Sequence, residues 1–177
     1  MTTRPTTATS TQASPDAFRS LMSEFPTGVC TVTTRDLDGE PWGMTCSSVT
    51  SVSLAPPTLL VCLRAGSPTL QALLNTGSFS VNFLHAQGQK TAELFASGNP
   101  HRFALVPWDQ PPGACGPHLV RDAHTVADCE VVLTQRMGDH VTVFGEARRI
   151  TRQHISPPLL YGQRQFRSWS QTDPSQT

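Results

Sequence analysis

Side-chain hydroxyls are crowded into one short stretch of this chain: Thr45, Ser47, Ser48, Thr50, Ser51 and Ser53, between Gly43-Met44 and the stop Pro56-Pro57. The run leads straight into Thr58-Leu59-Leu60-Val61-Cys62-Leu63. Hydroxyls and main-chain amides donate and accept hydrogen bonds without adding charge. That chemistry suits an anionic ligand rich in hydrogen-bonding groups better than it suits a plain apolar core. Alternate strand residues face opposite ways, so Thr45, Ser47 and Val49 share one face, and Cys46 and Ser48 the other. A Thr/Ser-rich strand with one solvated face accounts for the same residues.

Two further places combine reactive types at suggestive spacing. Arg64-Ala65-Gly66-Ser67-Pro68-Thr69 opens a helix, where free amides and the positive end of the helix dipole favour an anion and Arg64 adds a charged donor. A simple cap with a solvated arginine is the alternative. In Gly138-Asp139-His140 a turn sets a histidine at the entrance of a strand, where its ring faces a cleft or serves as a structural hydrogen-bonder. Six histidines and five cysteines show no zinc-ligand spacing. No Gly-x-Ser-x-Gly elbow and no evidently activated cysteine argue for nucleophilic hydrolysis.

The elements that would position these groups can be read from pattern. Ser14-Pro15 starts a helix whose Phe18, Leu21, Met22 and Phe25 lay one apolar face on the body. Strands are expected over Val29–Thr34, Trp42–Cys46, Val49–Ser53, Thr58–Leu63, Phe79–Leu84, Val126–Gln135 and Val141–Ile150. Ser67-Pro68 caps a second helix with Leu70, Leu73 and Leu74 on one face and Gly77 as its stop, and Gln87–Ala96 forms a third. Val106–His118 is a Pro/Gly-rich surface loop. Many short strands, few helices and no βαβ alternation predict a β-barrel, and no Gly-x-Gly-x-x-Gly follows the first strand to suggest a Rossmann fold.

Bulk numbers narrow the function. The 177 residues make one domain, 15–169, between polar tails 1–14 and 170–177 expected to be disordered. Thirteen basic residues balance thirteen acidic ones without a basic block, which gives no electrostatic support to nucleic-acid or polybasic membrane binding. An odd cysteine count without CxxC points to reduced, packed thiols. No apolar run spans a bilayer, and the first residues lack a signal-peptide core, so a cytoplasmic location is expected.

The hydroxyl run, Ser78-Phe79-Ser80-Val81-Asn82-Phe83-Leu84, Gly138-Asp139-His140 and Pro158-Leu159-Leu160-Tyr161 together resemble the short-chain flavin reductases, the reductase partners of two-component flavin monooxygenases. The resemblance runs from about Ala17 to Trp169 in the family's order. It implies a mainly β, split β-barrel fold with a few peripheral helices, assembled as a homodimer. It implies an NAD(P)H:flavin oxidoreductase that passes hydride from NADH (or NADPH) to FAD (or FMN) and releases reduced flavin to a separate monooxygenase.

By the same resemblance, His140 orients the nicotinamide carboxamide over the flavin and Asp139 fixes its turn. Thr45, Cys46, Ser47, Ser48, Ser51 and Ser53 contact the flavin; relatives often carry Ala-Asn or Ala-Ser at Cys46-Ser47, so main-chain contacts are what carries over there. Arg64, Ser67 and Thr69 lie near the flavin phosphate. Pro26, Thr27, Gly28, Asn82 and Phe83 line the cleft, and Phe103 and Tyr161 close its nicotinamide side. Competing readings are a flavin carrier or storage module, a split-barrel flavin oxidase with its own substrate, and a barrel that binds no cofactor.

Overall fold

A computed structural model describes residues 13–169; the two expected disordered tails fall almost entirely outside the described residues. Helix α1, Pro15–Ser23, is followed by β1 (Thr27–Gly28), β2 (Cys30–Arg35), β3 (Pro41–Cys46), β4 (Thr50–Leu54) and β5 (Pro57–Arg64). Helix α2 (Pro68–Thr76), β6 (Ser78–Leu84) and α3 (Gln89–Ala96) come next, then β7 (Ala123–Met137), β8 (His140–Arg152), β9 (Leu159–Gly162) and β10 (Gln165–Ser168).

Seven strands form one antiparallel sheet in the order β3-β2-β6-β7-β8-β5-β4, and β1-β9-β10 form a small second sheet. The chain is mainly β, as its pattern predicts. The ladder does not close on itself, because β3 and β4 are its two edges. Side chains bridge part of that seam instead: Ser48 Oγ donates to the Cys62 carbonyl at 3.1 Å and accepts from the Cys62 amide at 3.0 Å.

Two cores sit on either side of the sheet. Val32, Val61, Leu63, Phe79, Val81 and Val143 fill the first, with Leu70 and Leu73 of α2. Leu84, Phe95, Leu119, Val126 and Leu159 fill the second, under α3 and the small sheet. Phe79 is fully buried, worth up to about 3 kcal/mol in transfer free energy. Its ring explains Gly145: a Cβ there would stand 2.5 Å from it.

Caps behave as their residues dictate. Ser14 and Ser67 accept from the third amide of their helices at 3.1 Å, each with proline in the first turn. Gly77 ends α2 at a positive φ of 71°. Three expectations need correction. The face of α1 carrying Phe18, Leu21, Met22 and Phe25 is exposed, Phe25 by 64%, and no residue of the helix is buried among the described residues. Leu74 turns outward while Leu70 and Leu73 are buried, since the helix presents only part of its surface to the sheet. And α3 begins at Gln89, after a tighter 3₁₀ turn over Ala86–Gly88 that His85 caps.

The Pro/Gly-rich loop is fastened from within by polar groups. Asp128, 1% exposed, accepts from Ser80 Oγ at 2.6 Å, the Cys115 amide at 2.9 Å, His118 Nε2 at 3.0 Å and Arg149 Nε at 2.9 Å. Burial alone would raise its carboxyl, but these donors outweigh it and hold the group well below the usual carboxylate range. Asn82 completes the fastening. Its amide donates to Thr33 Oγ1 at 2.9 Å and the Pro117 carbonyl at 3.2 Å, and its carbonyl accepts from the Leu119 amide at 2.8 Å.

Candidate functional site

A cleft of about 610 Å³ opens where the hydroxyl run crosses the junction of the two sheets. One wall comes from the segment after β3 and from β4, with Ser47, Val49, Thr50, Ser51 and Ser53. The opposite wall comes from Pro26, Thr27 and Gly28, and Leu59, Phe83 and His124 add apolar and aromatic surface. The volume falls in the range of small-molecule sites, roughly 300–1,000 Å³. A side chain at Gly28 would project into open space, with no heavy atom within 4 Å of its Cβ. Flat apolar surface, a hydroxyl rim and an open glycine floor fit a planar heteroaromatic ring with polar edges, and a flavin has that chemistry.

A second cleft of about 460 Å³ shares Val29 and Ser47 with the first and adds Thr45, Ala96, Tyr161 and Phe166. The Tyr161 and Phe166 rings pack at 5.0 Å between centroids, from the register of β9 against β10. The expected facing of the hydroxyl run agrees with the structure. Thr45 and Ser47 line the second cleft, whereas Cys46 Sγ and Ser48 Oγ turn away together, 3.1 Å apart.

Not every hydroxyl is free for a ligand. Thr45 donates to the Ala92 carbonyl at 2.6 Å, and Ser48 is spent on Cys62, so their side chains serve the fold first. Ser47, Thr50 and Ser51 are exposed on the cleft. Ser53 accepts from the Ala55 amide at 3.2 Å, which shapes the turn before β5.

Several predicted residues lie elsewhere. Asn82 is fully buried with both ends of its amide bound inside the protein, so it builds the cleft wall from behind and offers a ligand nothing. Thr69 is 2% exposed in the first turn of α2, so its side chain is buried against the fold. Phe103 packs edge-on to Phe95 at 5.0 Å and to Trp108 at 5.8 Å, as a piece of the second core.

Arg64, Ser67, Asp139 and His140 form a separate group. Arg64 faces His140 across the β5–β8 ladder, and the Ala65 amide donates to the Asp139 carbonyl at 2.9 Å. His140 Nδ1 lies 2.9 Å from Asp139 Oδ1, and that hydrogen bond keeps Asp139 below the usual carboxylate range. Neither cleft includes these residues. Along β5, Arg64 stands five positions beyond Leu59, roughly 16 Å of extended chain. His140 thus stands well along the strand from the Leu59 end of the cleft in its own chain.

The structure also adds groups that the sequence does not single out. Phe25, Thr50, Leu59 and His124 line the main cleft, and only Thr50 carries a local signal, its place inside the hydroxyl run. Cys30 lines it too, directly across the β2–β3 ladder from Cys46. Of the two, Cys46 is the more acidic thiol, a difference that linear spacing conceals. Hydrogen bonding from Cys30 is the main influence and, with Ser48 and the Cys62 backbone, it outweighs burial and brings Cys46 down to about 6. Cys30 moves the other way, well above the ordinary thiol, from its bond to Cys46 and from burial. All five cysteines are free, as expected. Among the described residues no cluster could hold a metal ion, and no helix is long and apolar enough to cross a membrane.

A flavin reductase like domain matches residues 22–170. The chain is 48% identical to a flavin reductase (NADPH) of Lentzea aerocolonigenes, over 86% of this chain and 88% of that protein. It is 42% identical to a flavin reductase (NADH) of Kitasatospora aureofaciens, over 87% and 81%. Among solved structures, the NADH:FAD oxidoreductase SgcE6 of Streptomyces globisporus, in complex with NAD and FAD fragments, superposes with a TM-score of 0.82 at 30% identity, over 95% of this chain and 100% of that one. The chain belongs to the flavin reductase family. It is an oxidoreductase, an NAD(P)H-dependent flavin reductase.

Proposed function

We propose that the chain reduces FAD with NADH or NADPH in the hydroxyl-rimmed cleft of about 610 Å³ and lets the reduced flavin leave for a separate monooxygenase. The cleft's form carries this reading: an open glycine floor at Gly28, apolar walls at Leu59 and Phe83, and uncommitted hydroxyls at Ser47, Thr50 and Ser51. Curated relatives include reductase subunits of flavin-dependent monooxygenases. Relatives named for NADPH and for NADH align over nearly the same share of the chain, so both nucleotides remain candidates.

When bound, the flavin supplies an electron-accepting ring; the electron chemistry is its own. The protein stacks and orients. Ser47, Thr50 and Ser51 hold the polar ring edge, Leu59 and Phe83 exclude water from the ring face, and Gly28 leaves room for close approach. Holding both reactants in register supplies several kcal/mol of barrier reduction, up to roughly 7–11. Hydride transfer needs no protein base, so His140 of the partner subunit is a positioning group for the nicotinamide. Two copies assemble as a homodimer. The exposed Phe18, Leu21, Met22 and Phe25 of the α1 segment supply an apolar face for it, one that single-chain packing leaves uncovered.

Following NADH and NADPH oxidation by absorbance, with FAD, FMN or no flavin added, tests the activity. Turnover saturable in FAD, and weaker with FMN, is the expected result. Flavin binding without oxidation of either nucleotide would shift the reading to a flavin carrier.

A further inference from the structure

Cys30 and Cys46 are direct partners across the antiparallel β2–β3 ladder. Such partners have Cα atoms roughly 4.5–5.5 Å apart with side chains on one face, inside the span of about 4.4–6.8 Å that a disulfide bridges. Cys30 Sγ already donates to the Cys46 carbonyl at 3.2 Å. Cys62, the next sulfur around the seam, meets Cys46 only through its carbonyl, and its own thiol pairs with Thr142 Oγ1 at 3.6 Å. Among the described strands, Cys30 and Cys46 are the two cysteines in direct cross-strand register. Both are buried, and Cys30 borders the flavin cleft.

We propose that Cys30 and Cys46 form a dithiol that peroxide oxidises to a disulfide, shutting off flavin reduction when reduced flavin is spent on oxygen instead of on its monooxygenase. The oxidant arises from the activity itself: reduced flavin that meets dioxygen gives it two electrons and two protons, which yields hydrogen peroxide. The Cys46 thiolate attacks one peroxide oxygen, the O–O bond breaks, and the departing hydroxide takes up a proton to become water. The Cys30 sulfur then attacks the Cys46 sulfenic sulfur. The S–S bond forms, the S–O bond breaks, and hydroxide leaves with the Cys30 proton as a second water. Two thiols lose two electrons and peroxide gains two. A dithiol reductant reverses the change.

The low Cys46 and high Cys30 acidities fit this division of labour, attacking thiolate and resolving thiol. The bond would also act on the cleft. Cys30 follows the Gly28-Val29 wall directly, and Cys46 stands between Thr45 and Ser47. Drawing the two sulfurs together removes the Cys46–Ser48 contact, and Ser48 is the residue that stitches this edge to β5. This effect on turnover rests on flavin occupying the cleft; formation of the bond does not.

The full chain, reduced and desalted, would be exposed to hydrogen peroxide, quenched, and split between peptide mapping without reductant and FAD-dependent NAD(P)H oxidation. The expected result is a mass loss of about 2 Da, a single Cys30–Cys46 cross-link, and a roughly tenfold fall in turnover that a dithiol reductant restores. Cys115→Ser should respond to peroxide as the parent does, whereas Cys30→Ala, compared only with its own untreated form, should show no tenfold fall after the same treatment. Free Cys30 and Cys46 after oxidation, or a bridge through Cys62 or Cys115, would overturn the proposal. So would a Cys30–Cys46 bond with undiminished turnover. Absence of turnover in the untreated, reduced protein is a different outcome, one that counts against flavin reduction and leaves the cross-link to be read by mass.

Discussion

Cys46 owes its acidity mainly to Cys30, its opposite number on the neighbouring strand, so the property belongs to the register of two strands and to no local motif. The thiolate absorbance of the reduced protein should accordingly rise with an apparent midpoint near pH 6, the value of about 6 set mainly by Cys30. In Cys30→Ala that midpoint should move up toward the ordinary thiol range, because the strongest stabilising hydrogen bond is gone while burial remains. An unmoved midpoint would show that Ser48 and the Cys62 backbone suffice. Gly28 makes the complementary prediction. A Cβ there meets nothing, so Gly28→Phe should leave the melting temperature nearly unchanged while its ring fills the cleft floor. The apparent KM for flavin should rise roughly tenfold or more, by loss of ground-state and transition-state binding together. Steady-state kinetics beside a thermal melt separate these outcomes.

At the scale of elements, the buried carboxylate of Asp128 ties β6, β7, β8 and the 106–118 loop into one unit. Removing its charge while His118 and Arg149 keep theirs or their donors should be costly, about 3 kcal/mol for Asp128→Asn, seen as a lower midpoint in urea. The pH dependence has a definite sign. Because the native carboxyl lies below its unfolded value, its stabilisation is complete above the ordinary carboxylate range and fades as pH falls below about 4. Asp128→Asn should therefore flatten the acid limb of the stability curve as well as lower it. Little of this unit is legible in the sequence. The strands, caps and loop follow from alternation, Ser-Pro pairs and Pro/Gly density, all of them local. The partners of Asp128 lie up to 48 residues away, and Asn82, which reads as a polar residue facing a cleft, proves to be spoken for on both sides of its amide. The same limit applies to α1: its apolar stripe is plain in the sequence, but what it faces depends on where the helix sits. Ser47, Ser51 and Ser53 were legible as cleft residues because a hydroxyl run on consecutive strand segments must present one side outward.

For the whole molecule, the separation of His140 from the cleft of its own chain bears on the assembly. A nicotinamide held beside a flavin in this cleft would stand well apart from a histidine roughly 16 Å along the sheet, so under the proposed mechanism the group that orients it would come from elsewhere. A two-fold dimer places every surface patch twice, and the uncovered α1 segment, whose Phe25 lines the cleft, puts an apolar contact surface beside the site. In such a dimer, His140 of one copy would serve the cleft of the other. Subunit mixing tests this directly. His140→Ala should lower nicotinamide turnover more than flavin affinity, and Gly28→Phe should block flavin, leaving each pure variant weak. Equal mixing of the two chains makes half the dimers mixed. If the site is shared, each mixed dimer carries one doubly damaged site and one intact site, so activity returns to about a quarter of the parent value. If His140 acts within its own chain, every site keeps one lesion and mixing restores nothing. Sedimentation of the parent protein should show a dimer in either case; a monomer that turns over flavin at full rate would remove the shared site altogether.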